Sequence, residues 1–279
     1  MDFESIIAKV DSLPPLSDAA IFVQQLYVEG AENVDIIKLV KIIESDALLA
    51  ANILKMINAP IYGFSKKIAS VPQAVSLFGT NMVYGLVISY ALQEKIKANV
   101  EAYGISNKKF NDMCHLQSAL MMQWYSRIDL RHSQFLTPLA LMMESGKLIL
   151  AKEIIDHSAT QEFKEGLLSC DNIENYEHNF FGATSYFVCA LLFEHWNLEP
   201  LYVDILDGLD YEDDNLNDQM KTYIQSLDIV RIAVNAKEML TKESIEKACG
   251  AVEAMGLDSE YFRRVALRIK HSYIQKSIK

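Results

Sequence analysis

The chain has 279 residues, of which 51% are hydrophobic and 23% are charged, and its formal net charge is −11. This length is sufficient for one large hydrophobic core or two smaller ones. Eleven glycines and six prolines are few for such a chain, which favours long helices over a turn-rich β architecture. The negative charge argues against nucleic-acid binding as the main role, because the phosphate backbone requires clustered lysine and arginine.

Signals for membrane insertion or secretion are not visible in the sequence. No uninterrupted apolar run reaches the roughly 18 residues that a membrane span requires. The start, MDFESIIAKV, lacks a basic segment leading into an apolar one. The four cysteines are far apart and form no CxxC pair, which argues against a zinc knot. We therefore expect a protein of the reducing cytoplasm without a membrane span.

The first helices are predicted from apolar periodicity and capping residues. Ser17 and Asp18 begin a helix that ends at Gly30, and Asn33 or Asp35 begins the next one. A third helix over 47–57 is capped by Asp46. Its inward-facing side chains are predicted to be Leu48, Ala51, Leu54 and Met56 or Ile57.

A further start signal lies at Ser70, with Pro72 just inside the helix, and Leu77 is predicted to face inward. Gly79 is a stop signal. Asn81 then begins a long helix that continues to about Lys97.

A polar segment over 99–109 separates two halves of the chain. Beyond it, the periodicity predicts helices at about 111–127, 133–156, 159–168, 181–195, 216–239, 242–255 and 258–276. We find neither an alternating strand pattern nor a tandem repeat. The sequence therefore predicts an all-α fold of two packed helical subdomains, about 3–98 and about 108–279, forming one body with a groove.

Several short motifs near the N-terminus are typical of one family. They are Leu13-Pro14-Pro15-Leu16, Asp46-Ala47-Leu48, the tight exit Asn58-Ala59-Pro60-Ile61-Tyr62-Gly63, and Ile68-Ala69-Ser70 followed by Ala74 and Leu77-Phe78-Gly79. With these motifs the chain resembles the HDOD family, the HD-related output domain. The resemblance covers about 3–279 and is most specific over 13–92. It implies a bacterial regulatory protein related to metal-dependent HD phosphohydrolases.

The resemblance also implies where the metal ligands of an HD hydrolase would lie. Such enzymes hold divalent ions with His and Asp side chains and use a metal-bound water. Aligned on Gly146-Lys147, Met143 stands where the family has His, and Glu144 where it has Asp. His115 resembles an upstream family histidine, and Ser185 falls where another is usual. His115 and Glu144 alone do not make a catalytic site, so we expect no catalytic metal, no cofactor and no enzymatic activity.

Other catalytic signatures are missing from the sequence. No GxGxxG, GxxxxGK[ST], HExxH or GxSxG string occurs, and no two histidines lie four residues apart. His195, beside Trp196, is interpreted as a helix-end residue rather than as a base. Asn58 and Tyr62 are interpreted first as structural, with Asn58 bonding backbone groups at a helix end and Tyr62 packing between helices.

Charge is distributed unevenly in the second half. Seven acids and no base lie between 201 and 220, namely Asp204, Asp207, Asp210, Glu212, Asp213, Asp214 and Asp218. A solvated loop is the favoured interpretation, and a docking surface for a basic partner is the alternative. The stretch 261–279 is basic without acids, and we favour a terminal helix docked on the body, with Val265, Leu267 or Ile269, and Ile274 as its apolar stripe.

The function expected from the family resemblance is that of a stand-alone, non-catalytic signalling adaptor. It would act in the cytoplasm through an unknown protein partner, and motility and stress control are among the roles associated with the family. Candidate contact residues are Tyr62, Trp196, Asp210, Glu212, Asp213 and Asp214. Two alternatives remain open: a residual HD-type phosphohydrolase acting on a nucleotide, and a nucleic-acid-binding regulator using the basic C-terminal helix.

Overall fold

A computed structural model describes residues 3–64, 66–210 and 216–277, and within these ranges the protein is helical without a β-strand. The helices in chain order are α1 (Phe3–Asp11), α2 (Asp18–Gln25), α3 (Ile36–Ser45), α4 (Ala47–Ile57), α5 (Val71–Ile96), α6 (Asn107–Tyr125), α7 (Leu130–Met142), α8 (Gly146–Asp156), α9 (Thr160–Ser169), α10 (Ile173–Phe181), α11 (Ser185–His195), α12 (Pro200–Asp210), α13 (Asp218–Ala233), α14 (Lys242–Ala254) and α15 (Ser259–Ser277). Short 3-10 turns lie at Ala31–Asn33, Pro60–Tyr62 and Glu101–Tyr103. The predicted all-α class is confirmed.

The predicted N-terminal caps of α4 and α5 are present. The Asp46 carboxylate accepts hydrogen bonds from the backbone N–H groups of Leu48 and Leu49 at 3.0 and 2.9 Å. The Ser70 hydroxyl accepts one from the N–H of Gln73 at 3.4 Å. Each cap satisfies donors that have no partner within the helix, and this fixes where the helix begins.

The predicted inner face of α4 is correct at Ile57 but wrong at Leu48 and at Ala51, which is also exposed. Leu49, Ile53 and Ile57 are buried, whereas Leu48 is 64% exposed and Leu54 is only half-buried. The sequence of α4, ALLAANILKMI, is apolar on nearly every side, so periodicity alone could not select a face. The packing of α4 against α3 and α5 selects the residues spaced by four.

Helix α5 is broken at Gly79, where the backbone adopts φ 80° and ψ 165° and leaves the helical region. The stop signal at Gly79 is therefore confirmed, although Leu77 just before it is 50% exposed rather than inward-facing. After the break, residues 82–89 are buried. By length and composition alone α5 could cross a membrane, but 61% of its apolar window is buried inside the protein, as in a core helix.

The second half differs from the prediction in three places. The single helix expected over 133–156 is the pair α7 and α8, separated by a turn at 143–145. Helix α10 was not predicted. The acidic segment over 201–220 was expected to be a loop, but its described residues are α12 up to Asp210 and the start of α13 from Asp218; in α12, Tyr202, Ile205 and Leu206 are at most 4% exposed. These apolar side chains recur at helical spacing among the acids, and their burial stabilises the helix.

The two halves share one continuous core of buried side chains. Helices α5 and α7 approach so closely that a Cβ atom on Gly85 would lie 2.6 Å from the Cβ of Pro138. Helix α1 packs against α8 and α11 of the second half. There the Lys9 ammonium lies 2.6 Å from Glu153 and 2.7 Å from Asp156.

Helix α15 lies docked on the body, which agrees with the favoured interpretation of the basic C-terminal stretch. Its buried apolar side chains are Phe262, Val265, Ala266 and Ile269. The predicted stripe is correct at Val265 and Ile269, but Leu267 and Ile274 are 49% and 46% exposed. Docking uses one face of the helix and leaves its other side to solvent.

Candidate functional site

The region assigned by sequence to the degenerate metal site lies where α8 and α11 touch. A Cβ atom on Gly146 would lie 1.8 Å from the backbone oxygen of Ser185 and 2.8 Å from the backbone nitrogen of Cys189. Only a glycine allows this approach, because any larger residue would collide with backbone atoms. The contact places Lys147, the next residue, beside the start of α11.

The Lys147 side chain is only 2% exposed and ends among polar groups. Its ammonium donates a hydrogen bond to the Ser185 hydroxyl at 2.7 Å. It also lies 2.8 Å from Oε2 of Glu144 and 3.4 Å from Oε1 of Glu177, both of which are buried. We call Glu144, Lys147, Glu177 and Ser185 the Lys147 cluster.

Both carboxylates of the cluster have further partners. Oε1 of Glu144 accepts hydrogen bonds from the Gln117 amide at 2.8 Å and from the Tyr186 hydroxyl at 3.1 Å. Glu177 accepts one from the Tyr103 hydroxyl at 2.9 Å and one from the Ser185 backbone N–H at 2.7 Å. Such contacts are needed because a buried charge without partners is very unfavourable.

The pKa shifts follow from burial opposed by charge pairing. Burial disfavours the charged form of Lys147, but attraction by Glu144 and Glu177 outweighs it and raises the Lys147 pKa well above its usual value. Burial would raise the pKa of Glu144, but Lys147 and the donors around it hold that pKa below its usual value. Burial raises the pKa of Glu177 despite the pull of Lys147. The cluster therefore centres on a charged Lys147–Glu144 pair.

Two aromatic rings lie near the ammonium, and one of them also contacts an arginine that lines a surface cleft. The Lys147 nitrogen lies 5.6 Å from the ring centre of Tyr103 and 5.2 Å from that of Tyr186. The Arg231 guanidinium lies 5.1 Å from the Tyr186 ring and 3.4 Å from Glu174. The cleft outside Arg231 has a volume of about 550 Å³. The Tyr186 ring thus contacts two cations, the buried Lys147 ammonium and the Arg231 guanidinium that lines the cleft.

The family follows from a comparison with protein-family models. The model for the HDOD domain matches residues 13–208, which is well over half of the chain. The chain belongs to the HDOD family.

Solved structures share the fold of this HDOD chain at low sequence identity. A virulence factor from Campylobacter jejuni is 22% identical, with a TM-score of 0.55 and coverage of 93% of this chain and 94% of that one. A protein named as a candidate phosphohydrolase from Shewanella amazonensis is 15% identical, with a TM-score of 0.70 and coverage of 96% and 95%. An HDOD domain protein of unknown function from Geobacter sulfurreducens is 13% identical, with a TM-score of 0.64 and coverage of 98% and 96%. The comparison with curated proteins gave no match.

The HDOD family is related to HD phosphohydrolases, but the residues of this chain do not fit a catalytic divalent ion. Glu144 and Ser185, two of the four assigned positions, both contact the Lys147 ammonium. Met143 is buried and offers a thioether, which is a poor ligand for hard divalent ions. Within the described ranges, no three His, Cys, Asp or Glu side chains are grouped to hold a metal. A divalent ion at Glu144 would also be repelled by the ammonium already there.

His115, the remaining assigned position, contacts the family motif of the first half. Its Nδ1 lies 2.8 Å from the hydroxyl of Tyr62, and the two rings meet edge to face. Tyr62 is only 4% exposed, so most of its surface is already used within the HDOD fold. Asn58 makes three backbone contacts, donating to the carbonyls of Leu54 and Ile68 and accepting from the N–H of Ile68.

Trp196 and the acidic residues stand in different surroundings. The Trp196 indole is 6% exposed and donates to the carbonyl of Pro14 at 3.1 Å, while His195 lies 3.1 Å from the carbonyl of Leu13. Asp210 is half-buried and accepts a hydrogen bond from the Thr184 hydroxyl. The other three proposed contact residues, Glu212, Asp213 and Asp214, lie outside the described residues. None of these contacts tests binding of a partner.

Sequence reasoning missed Glu177 and the central position of Lys147. Glu177 lies on α10, which was not predicted, and no motif marks it. Lys147 was noted only as part of the Gly-Lys pair. The available signal was its setting, since Lys147 follows Glu144 by three positions and both lie between the apolar runs 141–143 and 148–151, where charged side chains need buried partners.

Proposed function

We propose that this HDOD chain is a regulatory protein that has no metal-dependent hydrolase activity and acts by binding a partner protein. The observation that carries the proposal is the Lys147 ammonium, 2.8 Å from Glu144 and 2.7 Å from Ser185. In an HD hydrolase these two positions would provide metal ligands. Here they bind a cation that belongs to the chain itself.

The pairing removes the means to activate a water molecule. A catalytic ion needs an open coordination position and ligands that are free to bind it. One oxygen of Glu144 faces Lys147, and the other accepts from Gln117 and Tyr186. Oε2 of Glu144 is thus paired with a cation and Oε1 with two hydrogen-bond donors, which supports a structural role for this carboxylate.

A role in partner binding is supported by apolar side chains exposed on the first half. Ile37 on α3 is 68% exposed and Leu48 on α4 is 64% exposed, and these two helices pack against each other. Exposed apolar groups on neighbouring helices are a feature of contact surfaces between proteins. Asp204 and Asp207 on α12 supply negative charge on the second half. Surface charge of this kind mainly changes the rate of association with a partner protein and its dependence on salt.

The absence of hydrolase activity is tested with manganese and bis(p-nitrophenyl) phosphate, a general phosphodiester substrate. We expect the wild-type protein to release nitrophenol no faster than buffer containing manganese, and its metal content to be well below one ion per chain. Hydrolysis that depends on manganese and is abolished by Glu144→Gln would overturn the proposal in favour of a residual phosphohydrolase.

Partner binding is tested by affinity capture from the cells in which the protein occurs, using the full chain as bait. We expect one protein captured by the wild type to be lost with the double variant Ile37→Asp/Leu48→Asp. Leu168→Asp is the matched control, because Leu168 is 72% exposed on α9 of the other half. Equal capture by all three baits would contradict a docking role for α3 and α4. Nucleic acid retained in a salt-dependent manner would instead favour the regulator that acts through α15.

A further inference from the structure

Helix α15 presents an amphipathic surface on the side that faces away from the body. Its docked face carries the buried apolar side chains Phe262, Val265, Ala266 and Ile269. Because successive residues of an α-helix are rotated by about 100°, the opposite face carries exposed side chains spaced by three or four positions. We call this set the outer stripe, and its members are Arg264, Leu267, Arg268, His271 and Ile274. The outer stripe faces solvent, so a partner can contact it without moving α15.

Two members of the outer stripe are large apolar side chains. Leu267 is 49% exposed and Ile274 is 46% exposed, although both belong to a helix that is rich in charge. They are seven residues apart, so they lie on the same side of α15, two turns from each other. Transfer of such side chains from water into an apolar phase is favourable. The outer stripe thus offers a pair of anchors to a partner that has an apolar layer.

The arginines of the outer stripe carry positive charge without an internal counter-ion. Among the described residues, neither Arg264 nor Arg268 forms an ion pair, and Arg268 donates instead to the side-chain oxygen of Gln123 at 2.9 Å. Glu260, the acid at the start of this face, forms an ion pair with Arg263 on the flank of the helix. The outer stripe therefore has net positive charge on a chain whose total charge is −11.

Positive charge extends beyond the outer stripe on this side of the protein. The guanidinium carbon of Arg264 lies 5.9 Å from the ring centre of Tyr261. The guanidinium carbon of Arg127, an exposed residue that follows α6, lies 4.6 Å from the same ring. From 261 to 279 the chain has six basic residues and no acid. An anionic surface placed over α15 would therefore meet several cations close together.

Cations beside exposed apolar side chains fit one kind of partner best. The surface of a membrane rich in anionic lipids has phosphate groups for the arginines and, directly beneath them, an apolar layer for Leu267 and Ile274. A nucleic acid offers phosphates to the cations, but its backbone has no apolar layer. The acids elsewhere in the chain do not decide the outcome, because salt screens charges beyond about 8 Å at physiological ionic strength.

We propose that the outer stripe binds the surface of a membrane rich in anionic phospholipids, with α15 lying parallel to that surface. Arg264 and Arg268 contact lipid phosphates, and Leu267 and Ile274 enter the boundary between headgroups and acyl chains. Binding of this kind is peripheral and needs no membrane-spanning helix. It does not depend on the regulatory role proposed above.

The test is flotation of the full chain in a density gradient over a series of lipid concentrations. Vesicles of phosphatidylglycerol and phosphatidylcholine in equal amounts are compared with vesicles of phosphatidylcholine alone. We expect the wild type to float with the anionic vesicles at low salt, and its affinity for phosphatidylcholine alone to be lower by at least about tenfold. Binding should weaken as salt is raised, because salt screens the attraction between arginine and phosphate.

Two double variants separate the contributions of charge and of apolar contact. Arg264→Gln/Arg268→Gln and Leu267→Ser/Ile274→Ser should each weaken binding to anionic vesicles by at least about tenfold. All four side chains are exposed, so both variants should unfold close to the wild-type temperature. Thermal unfolding therefore separates loss of binding from loss of the fold.

Matched changes elsewhere in the chain serve as controls. Lys41→Gln/Lys55→Gln removes two exposed cations from α3 and α4, and Leu168→Ser removes an apolar side chain that is 72% exposed on α9. Both should bind vesicles as the wild type does. The proposal is overturned if the wild type does not float with anionic vesicles at low salt, or if the outer-stripe variants bind no more weakly than these controls. Retention of single-stranded DNA without flotation, lost only in the arginine variant, would assign α15 to nucleic acid instead.

Discussion

The ammonium nitrogen of Lys147 lies 2.8 Å from a carboxylate oxygen of Glu144, and neither side chain is more than 2% exposed. The two residues are three positions apart, with Glu144 in the turn before α8 and Lys147 in its first turn. A buried ion pair contributes little to stability compared with apolar residues of the same shape. Each charge nevertheless depends on the other, because a single buried charge is strongly unfavourable.

Lys147→Met should therefore destabilise the protein by about 3–5 kcal/mol, since it leaves Glu144 without its counter-charge. The double variant Lys147→Met/Glu144→Gln should recover much of this loss. Urea unfolding followed by circular dichroism measures both. Lys38→Met is the control, because Lys38 is 69% exposed and its pairing with Asp35 should contribute less than about 0.5 kcal/mol. Equal losses at Lys147 and Lys38 would contradict a buried pair.

Replacing glycine by alanine should have opposite effects on stability at two helical positions, Gly146 and Gly250. Gly146→Ala should cost about 3 kcal/mol or more, because its Cβ would lie 1.8 Å from the Ser185 oxygen and would push α8 from α11. Gly250→Ala should stabilise by about 0.5–1 kcal/mol, because a Cβ there meets no atom within 4 Å and alanine favours the helix. Thermal melting of both variants gives the comparison, and a stable Gly146→Ala would refute the close helix contact.

The face of α4 is tested by three alanine variants. Ile53→Ala should cost about 2–5 kcal/mol, since Ile53 is fully buried. Leu48→Ala should change stability by less than about 0.5 kcal/mol because its side chain is 64% exposed. Leu54→Ala should lie between them. Denaturant midpoints measure these losses. A larger loss for Leu48→Ala or Leu54→Ala than for Ile53→Ala would show that another face of α4 is buried.

The raised pKa of Asp207 should make the stability of the protein depend on pH. Partial burial, followed by repulsion from Glu194, Asp210 and Asp204, raises the Asp207 pKa from 3.8 to about 6. The folded state therefore holds the proton more tightly than the unfolded state between these values, and this carboxyl destabilises the fold as pH rises through about 6. Asp207→Asn should be more stable than the wild type above pH 6, and the gain should vanish below about pH 4. Urea unfolding across this range measures the gain, and a constant difference would contradict the shift.

Features set by local chemistry could be predicted from the sequence. Asp46 and Ser70 cap helices because an oxygen one residue before a helix meets free N–H groups, whatever lies elsewhere in the fold. Gly79 could be predicted to break α5 for a similar reason, since glycine readily adopts positive φ. The HDOD family was also identifiable from local motifs, which cluster in the first half.

Features set by tertiary packing could not be predicted in the same way. The face of α4 depends on which neighbours cover it, and its composition permits several. Helix α12 was not predicted because its acidic residues indicated a solvated loop, although its apolar residues recur at helical spacing. The partners of Lys147 come from α10, α11 and the turn before α8, and no spacing in the sequence brings Glu177 to Glu144. Such a cluster becomes visible only when the fold is known.

A lysine at the centre of this fold differs from a metal ion in one further respect. A bound ion dissociates, so an ion-stabilised core depends on the free concentration of that ion and is weakened by chelators. The Lys147 cation is tethered, and its local concentration beside Glu144 is fixed by the chain itself. The core should therefore keep the same stability in cells rich in divalent metals and in cells deprived of them, so this protein could work under either supply.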